Sequence, residues 1–225
     1  MKFVDPFVTK YCYHLYNKTI DDFTPFSDDS FSQHYIDLAR YYRSGNCKVS
    51  YSCYIKSPPD IKEQFNKDII DPNYFQIEII AYCLMPNHYH FLLRQKINGG
   101  IFNFMNNVSN AFTRYFNIIN LRIGPLFIPQ YKSRLIANEE QLIHVSRYIH
   151  LNPYAAGLVN SVDDLYHYRF SSLKEYVGNN GLSDKSIILN TDYFLNNIAK
   201  YKAFIDNHAD YQKSLEYIKY VEKWE

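Results

Sequence analysis

Ala81-Tyr-Cys-Leu-Met-Pro-Asn-His-Tyr-His-Phe-Leu-Leu-Arg94 is the stretch that decides how the chain folds. An apolar run breaks at Met85-Pro86-Asn87 and resumes at His88. Pro86 has no N–H to donate and Pro-Asn favours a turn, so two strands meet at a tight corner. Side chains alternate along a strand, which puts His88 and His90 on one face and Tyr89 on the other. Two imidazoles about 6–7 Å apart on one face can converge on a divalent ion. They can equally form a half-buried hydrogen-bonded pair, and the spacing alone leaves both open.

Working outward, Tyr74 to Met85 alternates (Phe75, Ile77 and Ile79 against Gln76 and Glu78) and is the expected hairpin partner. Phe7 to Tyr16 is the expected first strand, ending at Asn17-Lys18. Asp29 or Ser30 caps a helix running to about Arg43, with Phe31, Tyr35, Leu38 and Tyr42 on its apolar face. Residues 47–74 are harder to read: Tyr51 to Ile55 fits a strand or a helix, Ser57-Pro-Pro breaks the chain, and Asp60 to Ile70 forms a short helix. After Gly99-Gly100, Phe104, Val108, Ala111, Phe112, Tyr115 and Ile119 mark an amphipathic helix from Ile101 to Asn120. Leu126 to Ile136 reads as a further strand. Glu139-Glu140 open a helix at its positive end, and it continues to Asn152 before Pro153. Leu142, Val145, Ile149 and Leu151 supply its buried stripe. Tyr148 and Asn152 are i and i+4 and share another face, with His144 one turn earlier. Taken alone, Tyr148 is one of 23 tyrosines that would ordinarily pack its ring, and Asn152 could simply cap the helix. Two βαβ-like passages around an antiparallel sheet give an α+β class, ferredoxin-like, with no internal repeat.

Composition narrows the function. A net charge of +1 argues against a protein that coats nucleic acid indiscriminately, but its distribution is uneven. Residues 94–147 carry 7 Lys/Arg against 2 Asp/Glu, whereas the segments before and after are each at −2. The basic excess follows the histidine strand, where a phosphate backbone would need it, although a solvated helix face gives the same count. With 23 Tyr and 16 Phe the chain has many rings on which unpaired bases could stack. Cys12, Cys47, Cys53 and Cys83 lack C-x-x-C spacing, so neither a zinc ribbon nor a redox pair is expected. No apolar run is long enough to span a bilayer and Met1-Lys-Phe-Val-Asp-Pro lacks a signal-peptide core, which leads to the expectation of a cytoplasmic protein with reduced thiols and no membrane contact.

Several blocks carry a family resemblance. A histidine-hydrophobe-histidine unit on a strand is the motif of the HUH nucleases, and Leu84-Met-Pro-Asn-His-Tyr-His-Phe-Leu-Leu93 resembles its form in the REP-associated tyrosine transposase group of the IS200-like single-strand DNA transposases. Asn110-Ala-Phe-Thr-Arg-Tyr-Phe-Asn117 resembles the family helix S-x-T-R-Y-F-N. Arg147-Tyr-Ile-His-Leu-Asn-Pro-Tyr-Ala-Ala-Gly-Leu-Val159 resembles the signature R-Y-I-H-x-N-P-V-R-A-G-L-V. The likeness covers most of residues 7–178. It implies a ferredoxin-like or RRM-like antiparallel sheet with the histidine pair on a central strand, a catalytic domain over 1–178 with 47–74 inserted, and a helical extension over 179–225. It further implies Tyr148 as nucleophile and His88, His90 and Asn152 as ligands of Mg²⁺ or Mn²⁺. Single-stranded or hairpin DNA is the implied partner, with Arg94, Arg114, Lys132, Arg134 and Arg147 as the expected DNA contacts, in a monomer whose Tyr148 acts in cis. The chain departs from the pattern where Gln130 and Ala155 replace arginines, Tyr154 replaces Val, and His167-Tyr168-Arg169-Phe170 departs at the Pro-Trp of the family ending Y-P-W-S-S-Y. Two rival readings remain: a DNA-binding domain that has lost the chemistry, and a metal-dependent nuclease that uses water. In the extension, Asn179-Asn180-Gly181 reads as a hinge, followed by helices at about Asp192–Ile198 and Tyr201–Trp224.

Overall fold

The computed structural model describes residues 7–177, 187–188 and 198–221. Its centre is one antiparallel sheet of β1 (Cys12–Lys18), β2 (Ile77–Met85), β3 (His88–Gln95) and β4 (Lys132–Leu135), in the order β2-β3-β1-β4. With α1 (Asp29–Tyr42) after β1 and α4 (Gly100–Ile119) after β3, this is the ferredoxin-like arrangement expected from the sequence. Pro86 and Asn87 make the two-residue corner, and Met85 pairs with His88 across it. β3 therefore lies inside the sheet, bonded to β2 and β1.

One face of the sheet is the apolar core. Tyr13 and Leu15 of β1 and Tyr89, Phe91 and Leu93 of β3 are buried there. Tyr89 packs on Tyr35 of α1 at 5.3 Å between ring centroids, and Phe91 on Phe104 of α4 at 5.9 Å. Each buried ring contributes on the order of 2 kcal/mol from the apolar area removed from water. The start of α4 crosses the chain at Gln76 so closely that a Cβ on Gly100 would collide with the Gln76 carbonyl, which only glycine avoids.

The other face is covered by α5 (Glu139–Ala155), which lies over β2 and β3. α5 is in turn braced by α8 (Ile198–Asp206) and α9 (Ala209–Val221). Tyr201 of α8 is buried and its hydroxyl lies 2.7 Å from Nδ1 of His150, whose Nε2 is 2.7 Å from Ser172 Oγ. Ser172 also bonds the backbone of Tyr82, and Leu84 N–H donates to Phe170 O. Residues 170–172 thus cover the outer edge of β2, which would otherwise leave strand groups unpaired. Short helices α6 (Val162–His167) and α7 (Leu173–Val177) flank this crossing.

Several boundaries differ from the sequence reading. β1 begins at Cys12 rather than Phe7, because the chain turns at Thr9-Lys10, where Lys10 has φ +74°. The strand expected over 126–136 is confined to Lys132–Leu135. Pro129 cannot donate to a ladder, and the Asn17 side chain instead bonds Ile128 O at 2.9 Å. α5 does not stop at Asn152 but runs through Pro153 to Ala155, so Asn152 is inside the helix and Ala156 is its cap. The ambiguous Tyr51 to Ile55 is a helix, α2 (Tyr51–Lys56), because Ser50 caps it, and α3 (Pro59–Ile70) follows. The helix expected over 201–224 is interrupted at Asn207-His208, between α8 and α9. The expected hinge at 179–181 and helix residues 192–197 lie outside the described residues. No helix among the described residues is long and apolar enough to cross a membrane.

Candidate active site

Pairing places the side chains of the four strands in rows across the sheet, since directly opposed residues share a face. Lys132, Tyr16, His90 and Cys83 form one row; Arg134, His14, Leu92 and Ala81 form the next; Lys18, His88 and Met85 form a third. All of these rows lie on the α5 side, away from the aromatic core.

On that face the rings converge. His88 and His90 have centroids 5.2 Å apart with planes at 84°. His14 lies 5.2 Å from His90, and its Nε2 is 3.0 Å from His90 Nδ1. Tyr16 stacks near His90 at 5.6 Å. From above, α5 brings Tyr148 edge-on to His90 at 5.7 Å and to His14 at 6.1 Å. His90 is 5% exposed, enclosed by these rings, whereas His88 and Tyr148 are half-buried. Asn87 Oδ1 lies 2.8 Å from His88 Nδ1; accepting a proton there leaves the Nε2 lone pair available.

Burial sets the electrostatics. It lowers the pKa of His88 to about 4, with Lys18 adding to the effect, and that of His14 to about 4, assisted by Arg134. His90 is pushed well below the usual histidine value by burial and then by His14 and His88. All three imidazoles are consequently neutral near pH 7, the form in which histidine offers a lone pair.

Asn152 lies one helical turn beyond Tyr148 and is buried. Its Nδ2 donates to Tyr148 O at 2.9 Å, and Gln212 of α9 donates to the same carbonyl at 3.0 Å. With the amide nitrogen so engaged, Oδ1 is the atom Asn152 can offer as a ligand. His144, expected on the Tyr148 face, instead turns toward Phe204 of α8 at 5.7 Å and Glu140 at 3.8 Å. Tyr154 donates its hydroxyl to Asp210 at 2.7 Å, a bond that raises its pKa, so the second tyrosine of the signature is tied to α9.

The five expected DNA-contact cations are dispersed. Lys132 and Arg134 are exposed on the histidine face beside Tyr16 and His14. Arg94 shares the face but lies at the opposite end of β3, with Glu78 at 3.9 Å and Lys10 O at 3.2 Å. Arg147 leans on Phe204 at 4.5 Å, beneath α8. Arg114 projects from α4, in the helical layer on the other side of the sheet. His14 and Tyr16 were not singled out by the sequence. Alternation along Tyr13-His-Leu-Tyr16 puts them on a common face, but only the β1–β3 register places that face beside His90.

Residues 60–152 match the family described as "Transposase IS200 like". Among solved structures, a REP-associated tyrosine transposase bound to a REP hairpin aligns with a TM-score of 0.54 at 14% identity, over 85% of this chain and 93% of that one. A putative transposase from Deinococcus radiodurans R1 aligns at 21% identity over 66% of this chain and 95% of that one, with a TM-score of 0.35. No curated protein matches the chain. The family match runs from α3 to Asn152 and takes in both histidines and Tyr148, and the α+β fold is that of the first of these structures: over this stretch the chain is similar to the IS200-like transposases.

Proposed function

We propose that this chain cuts and rejoins single-stranded or hairpin DNA through Tyr148, as a transposase of the REP-associated kind. The observation that carries the reading is the Tyr148 ring edge-on to His90 at 5.7 Å, on the same face as His88. A phenol is a weak nucleophile at neutral pH until it is held in line with its target and loses its proton. In this reading Tyr148 Oη bonds to phosphorus while the bond to the 3′ oxygen breaks. The phenol loses a proton and the departing 3′ oxygen gains one, leaving a 5′-phosphotyrosine and a free 3′-hydroxyl. The energy of the phosphodiester is retained, so the strand can be rejoined without ATP.

Among the described residues, no three His, Cys, Asp or Glu side chains are grouped to hold a metal ion. The donor set of two neutral imidazoles and the Asn152 amide oxygen nevertheless suits a Mg²⁺ or Mn²⁺ ion that keeps other positions for water and phosphate. When bound, such an ion polarises the phosphodiester and offsets charge on its oxygens. His88 and His90 hold their lone pairs on the cleavage face, and Asn87 and His14 fix the ring orientations. Lys132 and Arg134 offer cations to the strand on that face. In this reading Tyr148 acts in cis in a monomer, which the packing of α5 on the sheet of its own chain supports.

The test is incubation with single-stranded DNA from the flanks of the chain's own gene. A covalent protein–DNA adduct is expected. Binding without cutting would make the chain a DNA-binding relative, and cutting without an adduct would transfer the attack to water; either result overturns the proposal.

A further inference from the structure

Residues 50–56 fold against the outer surfaces of α1 and α4 and close a cavity of about 420 Å³ there, in the helical layer remote from Tyr148. One wall is aromatic. His34 stacks on Tyr115 at 3.7 Å with planes 21° apart, and Tyr51 stands edge-on to His34 at 5.6 Å. The wall is fixed from behind, since Tyr51 N–H donates to the Tyr42 hydroxyl at 3.1 Å and Ser50 caps α2. The rim is cationic: Lys56 and Arg114 are both exposed, and neither has an ion pair or hydrogen bond among the described residues. Among the same residues, no acid lines the cavity. The neighbouring Asp37 is engaged by Arg40 at 2.8 Å and Gln33 at 3.1 Å. Asn107 and Asn110 add exposed amides, each able to donate and accept.

Two unneutralised cations beside a wall of flat rings fit an anion that itself carries a flat ring. A cavity of this size takes one such group rather than a duplex. We infer that this cavity binds one unpaired nucleotide of a DNA strand, with the base against Tyr51, His34 and Tyr115 and the phosphate at Lys56 and Arg114. Stacking on aromatic side chains tolerates any base, and the amides would add the preference. The inference takes DNA as the ligand from the function proposed above, but it does not depend on cleavage. It gives α2 of the 47–74 segment a role: without Tyr51, Ser52 and Lys56 the cavity has no outer wall.

The experiment measures binding of fluorescent oligodeoxythymidylate to the full chain by anisotropy across a salt series. Lys56→Gln with Arg114→Gln, both at exposed positions, should weaken binding and flatten the salt slope by about 0.7 for each phosphate left without its cation. Lys67→Gln, an exposed cation on α3, should change neither quantity. Tyr51→Leu should lower affinity by about tenfold while leaving the slope intact, as loss of stacking requires. An unchanged affinity and slope in the double variant would overturn the inference, as would an equal effect of Lys67→Gln. Thymidine monophosphate, titrated by calorimetry, separates the two sources of the ligand. If it binds the wild type and not the double variant while oligonucleotide binding is untouched, the occupant is a free nucleotide and the strand site is overturned. Absence of a Tyr148 adduct with these salt slopes intact would count against the transposase reading alone.

Discussion

His14 Nε2 and His90 Nδ1 lie 3.0 Å apart, joining β1 to β3 under the Tyr148 ring. With His90 donating, His14 accepts and the His90 lone pair is left on Nε2. Partners of this kind orient a ligand histidine and fix its tautomer. His14→Phe keeps a ring in the space but removes the acceptor, and Mn²⁺ affinity should fall by about 10–100-fold. His14→Gln, whose amide oxygen reaches the position of Nε2, should restore much of it. A Phe variant that binds Mn²⁺ like the wild type in an electron paramagnetic resonance titration would reduce His14 to packing.

The placement of the cations divides their roles. Lys132→Gln and Arg134→Gln remove exposed charges from the histidine face, so each should lower affinity for single-stranded DNA and the salt slope by about 0.7. Arg147 leans on Phe204 instead, so Arg147→Gln should leave that slope unchanged and cost about 0.5–1 kcal/mol of stability as the guanidinium leaves the ring. A salt series with urea melts on the same proteins decides between these outcomes. Equal slopes for Arg147→Gln and Arg134→Gln would show that position on the face does not matter.

Much of this site is legible in the sequence because it rests on local rules. Pro86-Asn87 dictates the corner, alternation dictates that His88 and His90 share a face, and 3.6 residues per turn dictates that Asn152 follows Tyr148. What could not be read depends on register and on contacts between distant segments. His14 joins His90 across 76 positions, and no local pattern encodes that pairing. His144 has the same helical spacing as Tyr148 and Asn152, yet α8 draws it toward Phe204. Pro153 looked like a helix stop. Leu158 and Val159 N–H groups donate to its carbonyl, so the chain turns after Ala155 instead.

Acid should destabilise the fold through its buried histidines. Burial lowers the pKa of His14 and His88 to about 4 and that of His150 to about 3, against 6.5 unperturbed. As pH falls below 6.5 the unfolded chain takes up protons that the folded chain refuses. Stability is therefore lost from pH 6.5 down to about 4 for His14 and His88 and to about 3 for His150, at up to about 1.4 kcal/mol per pH unit for each group. Glu175, raised to about 7 by burial, works the other way between pH 7 and 4.5, but it is one group against three. Urea midpoints should thus be lower at pH 5 than at pH 7. Equal midpoints would mean that these imidazoles are charged in the native state.

The proposed attacking atom and the proposed ligands can be separated by two substitutions. Tyr148→Phe keeps the ring that packs edge-on to His14 and His90 and removes only the phenolic oxygen. Folding and DNA binding should survive, while cleavage and the covalent adduct vanish together. His88→Ala should also stop cleavage, but through loss of a ligand, so the adduct should return in part at high Mn²⁺ because His90 and Asn152 remain. The same ion should never rescue Tyr148→Phe. The nearest substitute on α5 is Tyr154, whose hydroxyl is held by Asp210 at 2.7 Å with Lys213 4.4 Å above its ring, so it is not free to take over. Gel mobility of the adduct, followed by peptide mapping of the modified tyrosine, reads all of these outcomes. An adduct in Tyr148→Phe would move the nucleophile elsewhere and leave the ring of Tyr148 as a lid on His90.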